Sequence, residues 1–115
     1  MIKIDLSKHS GAQDMVAIIM RDKNLSAEDA LKYAINKTMY QNIIKAGYAS
    51  IALGLWGHAD PEREWDVLES PIMQVEFDES TQNLINDIME KEDVDFETAI
   101  SYFLLFTMEA LGYHI

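Results

Sequence analysis

The sequence predicts a mostly α-helical fold with a two-stranded antiparallel ribbon, made from two copies of one strand–helix–helix unit. Three observations predict it. The chain matches itself when shifted by 69 residues. A short run of alternating apolar and polar residues precedes each matching stretch. The helix that closes the second copy is apolar nearly all round, so a single further helix cannot cover it.

The self-match aligns residues 14–42 with 83–111 and contains seven identities. Ile19-Met20 falls on Ile88-Met89, and Glu28, Ala30 and Tyr33 fall on Glu97, Ala99 and Tyr102. Thr38-Met39 falls on Thr107-Met108. Unrelated sequences of average composition would share about two identities over such a span. Conservative matches lie between: Met15 with Leu84, Val16 with Ile85, Leu25 with Val94, Leu31 with Ile100 and Ile35 with Leu104.

The elements follow in order. Ile2-Lys3-Ile4-Asp5-Leu6-Ser7 aligns with Met73-Gln74-Val75-Glu76-Phe77-Asp78, and both alternate with the period of a half-buried strand. Ile2, Ile4, Leu6, Met73, Val75 and Phe77 are expected inward, and Lys3, Asp5, Gln74 and Glu76 outward. A first helix starts near Ser10, where Ser10 and Gln13 have capping-box spacing. Met15, Val16, Ile19 and Met20 share its apolar face, as Leu84, Ile85, Ile88 and Met89 do in the second copy. The second helix starts at Ser26, spaced from Asp29 as in a capping box, and runs to about Asn42. Its counterpart is capped by Asp95, has Glu97 in its first turn, and runs to about Leu111 before Gly112. The chain is read as one domain over 1–115: a first copy at 1–42, a helical connector at 43–71 and a second copy at 72–115. In the connector, Ile43 to Trp56 reads as one more helix or a continuation of the last, broken near Gly47. Pro61 to Leu68 reads as a short helix with Trp65, Val67 and Leu68 packed inward.

Composition bounds the function. Hydrophobic residues make up 49% of the 115, and there is no cysteine, which favours a reducing, cytoplasmic setting. The N-terminus lacks the pattern of a signal peptide, and the longest apolar run, around Ile51 to Trp56, is too short to cross a bilayer. The formal charge of −11 is unevenly spread. Residues 1–57 hold seven Lys/Arg and five Asp/Glu, a net of +2; residues 58–115 hold two and fifteen, a net of −13. Such a surface repels nucleic-acid phosphates and anionic membranes, and it also serves solubility.

Little in the chain has the pattern of catalysis, and neither an enzyme nor a cofactor or metal is expected. His9, His58 and His114 lack metal-ligand spacing. His58 and Asp60, with Glu62 and Glu64, could hold a cation, but they read more simply as a solvated turn entering a helix. There is no cysteine nucleophile, no nucleophile elbow and no phosphate-cradling glycine loop. Tyr33 and Tyr102, at equivalent positions, read as core tyrosines. Trp56 and Trp65 flank the turn at 57–61 and are candidate partner anchors, against the simpler reading that they pack the connector onto the core.

The strand, helix, tight turn and second helix at 72–113, repeated at 1–42, resemble the ribbon–helix–helix superfamily. Thr98-Ala99-Ile100-Ser101-Tyr102-Phe103-Leu104, with Gly112 downstream, looks like the second helix of RelB-type antitoxins. The resemblance implies a tandem pseudo-dimer in one chain, with residues 2–6 paired to 73–77. In that family the ribbon enters the major groove, its outward side chains read bases, and the N-terminus of the second helix holds a phosphate. Many members repress their own operons, and antitoxin members neutralise a toxin. Carried over, the resemblance makes Lys3, Asp5, Gln74 and Glu76 the outward ribbon face toward DNA or a partner. It makes Lys23 and Ser26 the candidate phosphate contacts. Lys3 and Gln74 are good base readers; Asp5 and Glu76 meet repulsion from phosphates. Two readings follow: an antitoxin-like or repressor-like regulator that touches DNA, or an acidic interaction module that has lost DNA binding and meets a basic partner such as a toxin. The covalent pseudo-dimer is expected to fold as a monomer, with further association of such chains left open.

Overall fold

A computed structural model describes residues 2–38, Trp56 and residues 64–113. Along the chain lie β1 (Ile2–Asp5), α1 (Ser10–Lys23), α2 (Ala27–Thr38), β2 (Ile72–Val75), α3 (Glu79–Glu92) and α4 (Phe96–Ala110). The described residues thus form two strand–helix–helix units, and their strands pair antiparallel into one two-stranded ribbon.

The repeat read from sequence is a repeat of hydrogen bonds. Adding 69 carries Ser10–Lys23 onto Glu79–Glu92, and the start of α2 onto the start of α4. Each first helix ends at a left-handed residue, Asn24 (φ 54°) in one copy and Asp93 (φ 52°) in the other. In each, the next N–H reaches back to the same helical carbonyl: Leu25 to Met20 and Val94 to Met89, both at 3.1 Å. This closing turn satisfies otherwise orphaned carbonyls. One residue later each second helix is capped as its sequence predicts. Ser26 Oγ accepts from the Asp29 N–H at 3.2 Å, and Asp95 accepts from the Thr98 N–H at 2.9 Å.

In the ribbon Ile2 lies opposite Val75, Lys3 opposite Gln74, Ile4 opposite Met73 and Asp5 opposite Ile72. The Leu6 N–H extends the pairing, donating to the Pro71 carbonyl at 3.0 Å. Ile4, Leu6, Met73 and Val75 are buried, as the alternation requires, while Ile2 and Phe77 are half-buried. The ribbon caps a core drawn from both copies: Met15, Val16, Ile19, Leu31 and Ile35 from the first, and Ile85, Ile88 and most of α4 from the second. Residues 99–108 of α4 are buried without interruption. This helix packs chiefly on α2 and also on α1 and α3, so its all-round apolarity is used as expected.

Several local expectations are corrected. Ser10 is the first helical residue of α1, not its cap; His9 takes that place without a side-chain bond. Residues 64–68 are not helical, so the short helix expected over Pro61–Leu68 is absent from the described part of that range. Leu68 is buried there, but Val67 is 78% exposed and Trp65 37% exposed. Tyr102 is core, whereas Tyr33 is half-buried, with Lys23 Nζ 5.6 Å from its ring centre. The expected helix from Ile43 toward Trp56, and the end of the second helix near Asn42, lie outside the described residues.

Candidate interaction surface on the ribbon

The alternation that buries Ile4 and Val75 turns Lys3 and Gln74 outward. Both are exposed and face each other across the ribbon. With the strands aligned at an offset of 71, Lys3 and Gln74 are equivalent residues, so the pseudo-two-fold axis passes between them. The centre of the outer face therefore carries one ammonium and one amide.

The flanks are acidic. Asp5 is half-buried, and its carboxylate accepts from the Ser7 backbone N–H at 3.0 Å and from Ser7 Oγ at 2.6 Å. The Ser7 bonds, aided by Lys3 and Lys8, hold its carboxyl below the usual range, so it stays charged and bound into its own turn. Glu76 is exposed, one residue past β2. Beside the end of β1, residues Asp5, Ser7, Lys8, His9, Asp95 and Glu97 line a shallow depression. It joins the ribbon to the N-terminus of α4, the place where the family resemblance expects a phosphate. There Asp95 already accepts the Thr98 N–H, and the Thr98 side chain, with that backbone bond, holds its carboxyl below the usual range. Glu97 adds a second carboxylate to the same turn. These carboxylates complement the helix dipole themselves, which disfavours an anionic ligand.

The other copy differs in degree. Ser26 is exposed, and its hydroxyl oxygen caps α2, where Glu28 and Asp29 occupy the first turn. Lys23 lies in the last turn of α1 with its ammonium over Tyr33. The two candidate phosphate contacts thus flank one turn, and each has a partner within the fold.

Trp56 and Trp65 come together over the start of α1. A Cβ added to Gly11 would lie 3.6 Å from Trp56 and 3.7 Å from Trp65. Trp56 is buried, and its indole N–H donates to Asp14 Oδ2 at 2.8 Å, which makes it a fastening of the fold. Trp65 keeps an exposed edge.

Sequence reasoning missed the residues that organise this region. Asp14 is fully buried on α1; besides Trp56 it accepts the Asp66 N–H at 2.9 Å. Its neighbour Gln13 accepts the Leu68 N–H at 3.1 Å and donates to the Leu6 carbonyl at 2.8 Å. Arg21, about two helical turns further along, pairs with the Asp66 carboxylate. The segment leading into β2 is thereby tied to α1, which helps hold the ribbon over the core. A polar pair preceding an apolar face was the only local signal; the partners that tie it to the segment before β2 lie 42 to 55 residues away.

Among the described residues no group of His, Asp or Glu is arranged to hold a metal ion. His58, Asp60, Glu62 and His114 lie outside those residues. No described helix is long and apolar enough to cross a membrane. Compared with family models, curated proteins and solved structures, the chain matches none.

Proposed function

We propose that this chain is a single-chain ribbon–helix–helix-type regulatory protein that acts by binding a basic protein partner. The observation that carries the reading is the charge of the surface that would meet DNA. Of the four outward ribbon positions, only Lys3 is cationic, and the N-termini of α2 and α4 carry their own carboxylates. Duplex binding draws its affinity from several phosphate contacts, which this face does not offer. A basic protein gains from the same charges, because the half holding most of the acids has a net of −13. A small basic toxin is the kind of partner that the antitoxin resemblance implies.

A repressor-like role is the second reading. It rests on Lys3 and Gln74, two residue types able to hydrogen-bond base edges, placed together on the axis of the ribbon. A mobility-shift titration with mixed duplex DNA at about 50 mM salt separates the two readings. The proposal expects no shifted band, and expects poly-lysine to bind with an affinity that falls as salt rises. A salt-sensitive DNA shift abolished by Lys3→Ala would establish the repressor reading instead.

A further inference from the structure

Residues 64–71 lead into β2, and exposure alternates over residues 65–69 of this stretch. Trp65, Val67 and Glu69 are exposed, whereas Asp66 is half-buried and Leu68 buried. A period of two is that of an extended chain. Its inward edge is fastened, since the N–H groups of Asp66 and Leu68 donate to Asp14 and Gln13. In an extended chain successive N–H groups point to opposite sides. Those of Trp65 and Val67 therefore point away from α1, and neither has a partner among the described residues. Over residues 65–68 the segment is an extended stretch with one edge used and one edge open, although it pairs with no other strand among the described residues.

Open edges of this kind recruit further strands, with backbone bonds supplying affinity and alternate side chains supplying selectivity. Val67, 78% exposed, stands at the middle of this edge, beside the exposed rim of Trp65. Charge identifies the occupant. Glu64 and Glu69 are exposed on either side of the apolar pair, and the Asp66 carboxylate is already held by Arg21. We infer that residues 65–69 accept an extended segment of the basic partner by strand addition. An apolar side chain of that segment lies against Val67 and Trp65, and its Lys or Arg residues lie against Glu64 and Glu69. The inference rests on the basic-partner reading above and adds where and how the partner docks.

The test uses the full chain, a short fluorescent peptide of alternating Lys and Val, and poly-lysine as a charge-only probe. Val67→Pro removes an outward N–H, leaves the inward bonds to Gln13 and Asp14 in place, and suits an extended exposed site. Glu69→Lys reverses one flanking charge. The peptide is expected to bind the parent chain, and each substitution to weaken it about tenfold. Backbone N-methylation of the peptide should weaken it similarly. Poly-lysine binding should be unchanged by Val67→Pro, and far-ultraviolet circular dichroism should stay constant. Equal binding of the peptide to the parent and to Val67→Pro overturns the strand edge. So does poly-lysine binding without peptide binding, which leaves the basic-partner reading standing. Failure of both probes to bind overturns that reading and this one with it.

Discussion

Both carboxylate oxygens of the fully buried Asp14 are occupied, one by an indole N–H and the other by a backbone N–H. Removing that carboxylate strands the buried indole N–H, at a cost of about 1–3 kcal/mol, and the part-buried Asp66 N–H at less. Asp14→Ala is expected to lower stability by about 2–4 kcal/mol in urea unfolding, and a change under about 0.5 kcal/mol would show that the segment at 66–68 is held by other means. Asp95 works at the surface, as a helix cap. Asp5, Asp78 and Asp95 all have carboxyls held below their ordinary value of 3.8, in each case first by a side-chain bond from the residue they cap or turn toward. The folded value lies beneath the unfolded one, so their stabilisation is complete above the unfolded value and is lost as pH falls through the lower, folded value. Stability should therefore drop on acidification below about pH 4, and Asp95→Asn, which keeps a capping oxygen, should flatten part of that drop. Asp95→Ala should cost about 1 kcal/mol at neutral pH. The caps at Ser26 and Asp95 were legible in sequence because their partners are three residues away. Asp14 was not, because its partners Trp56 and Asp66 lie 42 and 52 residues away, within the connector.

Among the elements, the tight turn between paired helices recurs with the same backbone bonds, and its left-handed residue is Asn24 in one copy and Asp93 in the other. Such a conformation crowds the Cβ of an L-residue, least for Asn and Asp, and glycine removes the crowding. Asp93→Gly is expected to raise stability by up to about 1 kcal/mol, read as a shift of the urea midpoint, and Asn24→Gly by less. Loss of stability in both would mean that these turns are set by side-chain bonds and not by backbone geometry. The strands and helices were readable from periodicity because each presents one apolar face to a shared core. The segment at 64–68 fits a helix locally, because Pro61 suits a helix start and Trp65 and Leu68 follow at helical spacing. Its extended course is imposed by Gln13 and Asp14, which hold alternate N–H groups, and that also leaves Val67 outside.

At the scale of the whole molecule, neither copy can bury its closing helix alone. α4 is apolar on every side, and Thr107 Oγ1, besides its own Phe103 carbonyl, reaches the Ala34 carbonyl of α2. A peptide of residues 72–115 is expected to lack cooperative unfolding as a monomer and to gain helix when mixed with residues 1–71, followed by circular dichroism. The architecture was legible because the repeat and the unusual α4 both demand a second copy. The partner was not, because an acidic surface specifies the sign of a charge and not the shape that carries it. All of this depends on the two opening strands lying side by side with Lys3 across from Gln74. Directly opposed residues in an antiparallel pair have Cα atoms about 4.5–5.5 Å apart, within reach of a disulfide. The chain has no cysteine of its own, so Lys3→Cys combined with Gln74→Cys gives a clean probe. Mild oxidation at low protein concentration should give a monomer with one intrachain disulfide, a compact mobility on non-reducing gels and unchanged helix content. Thiols that stay free, or that join only between chains, would contradict the fold on which the account stands.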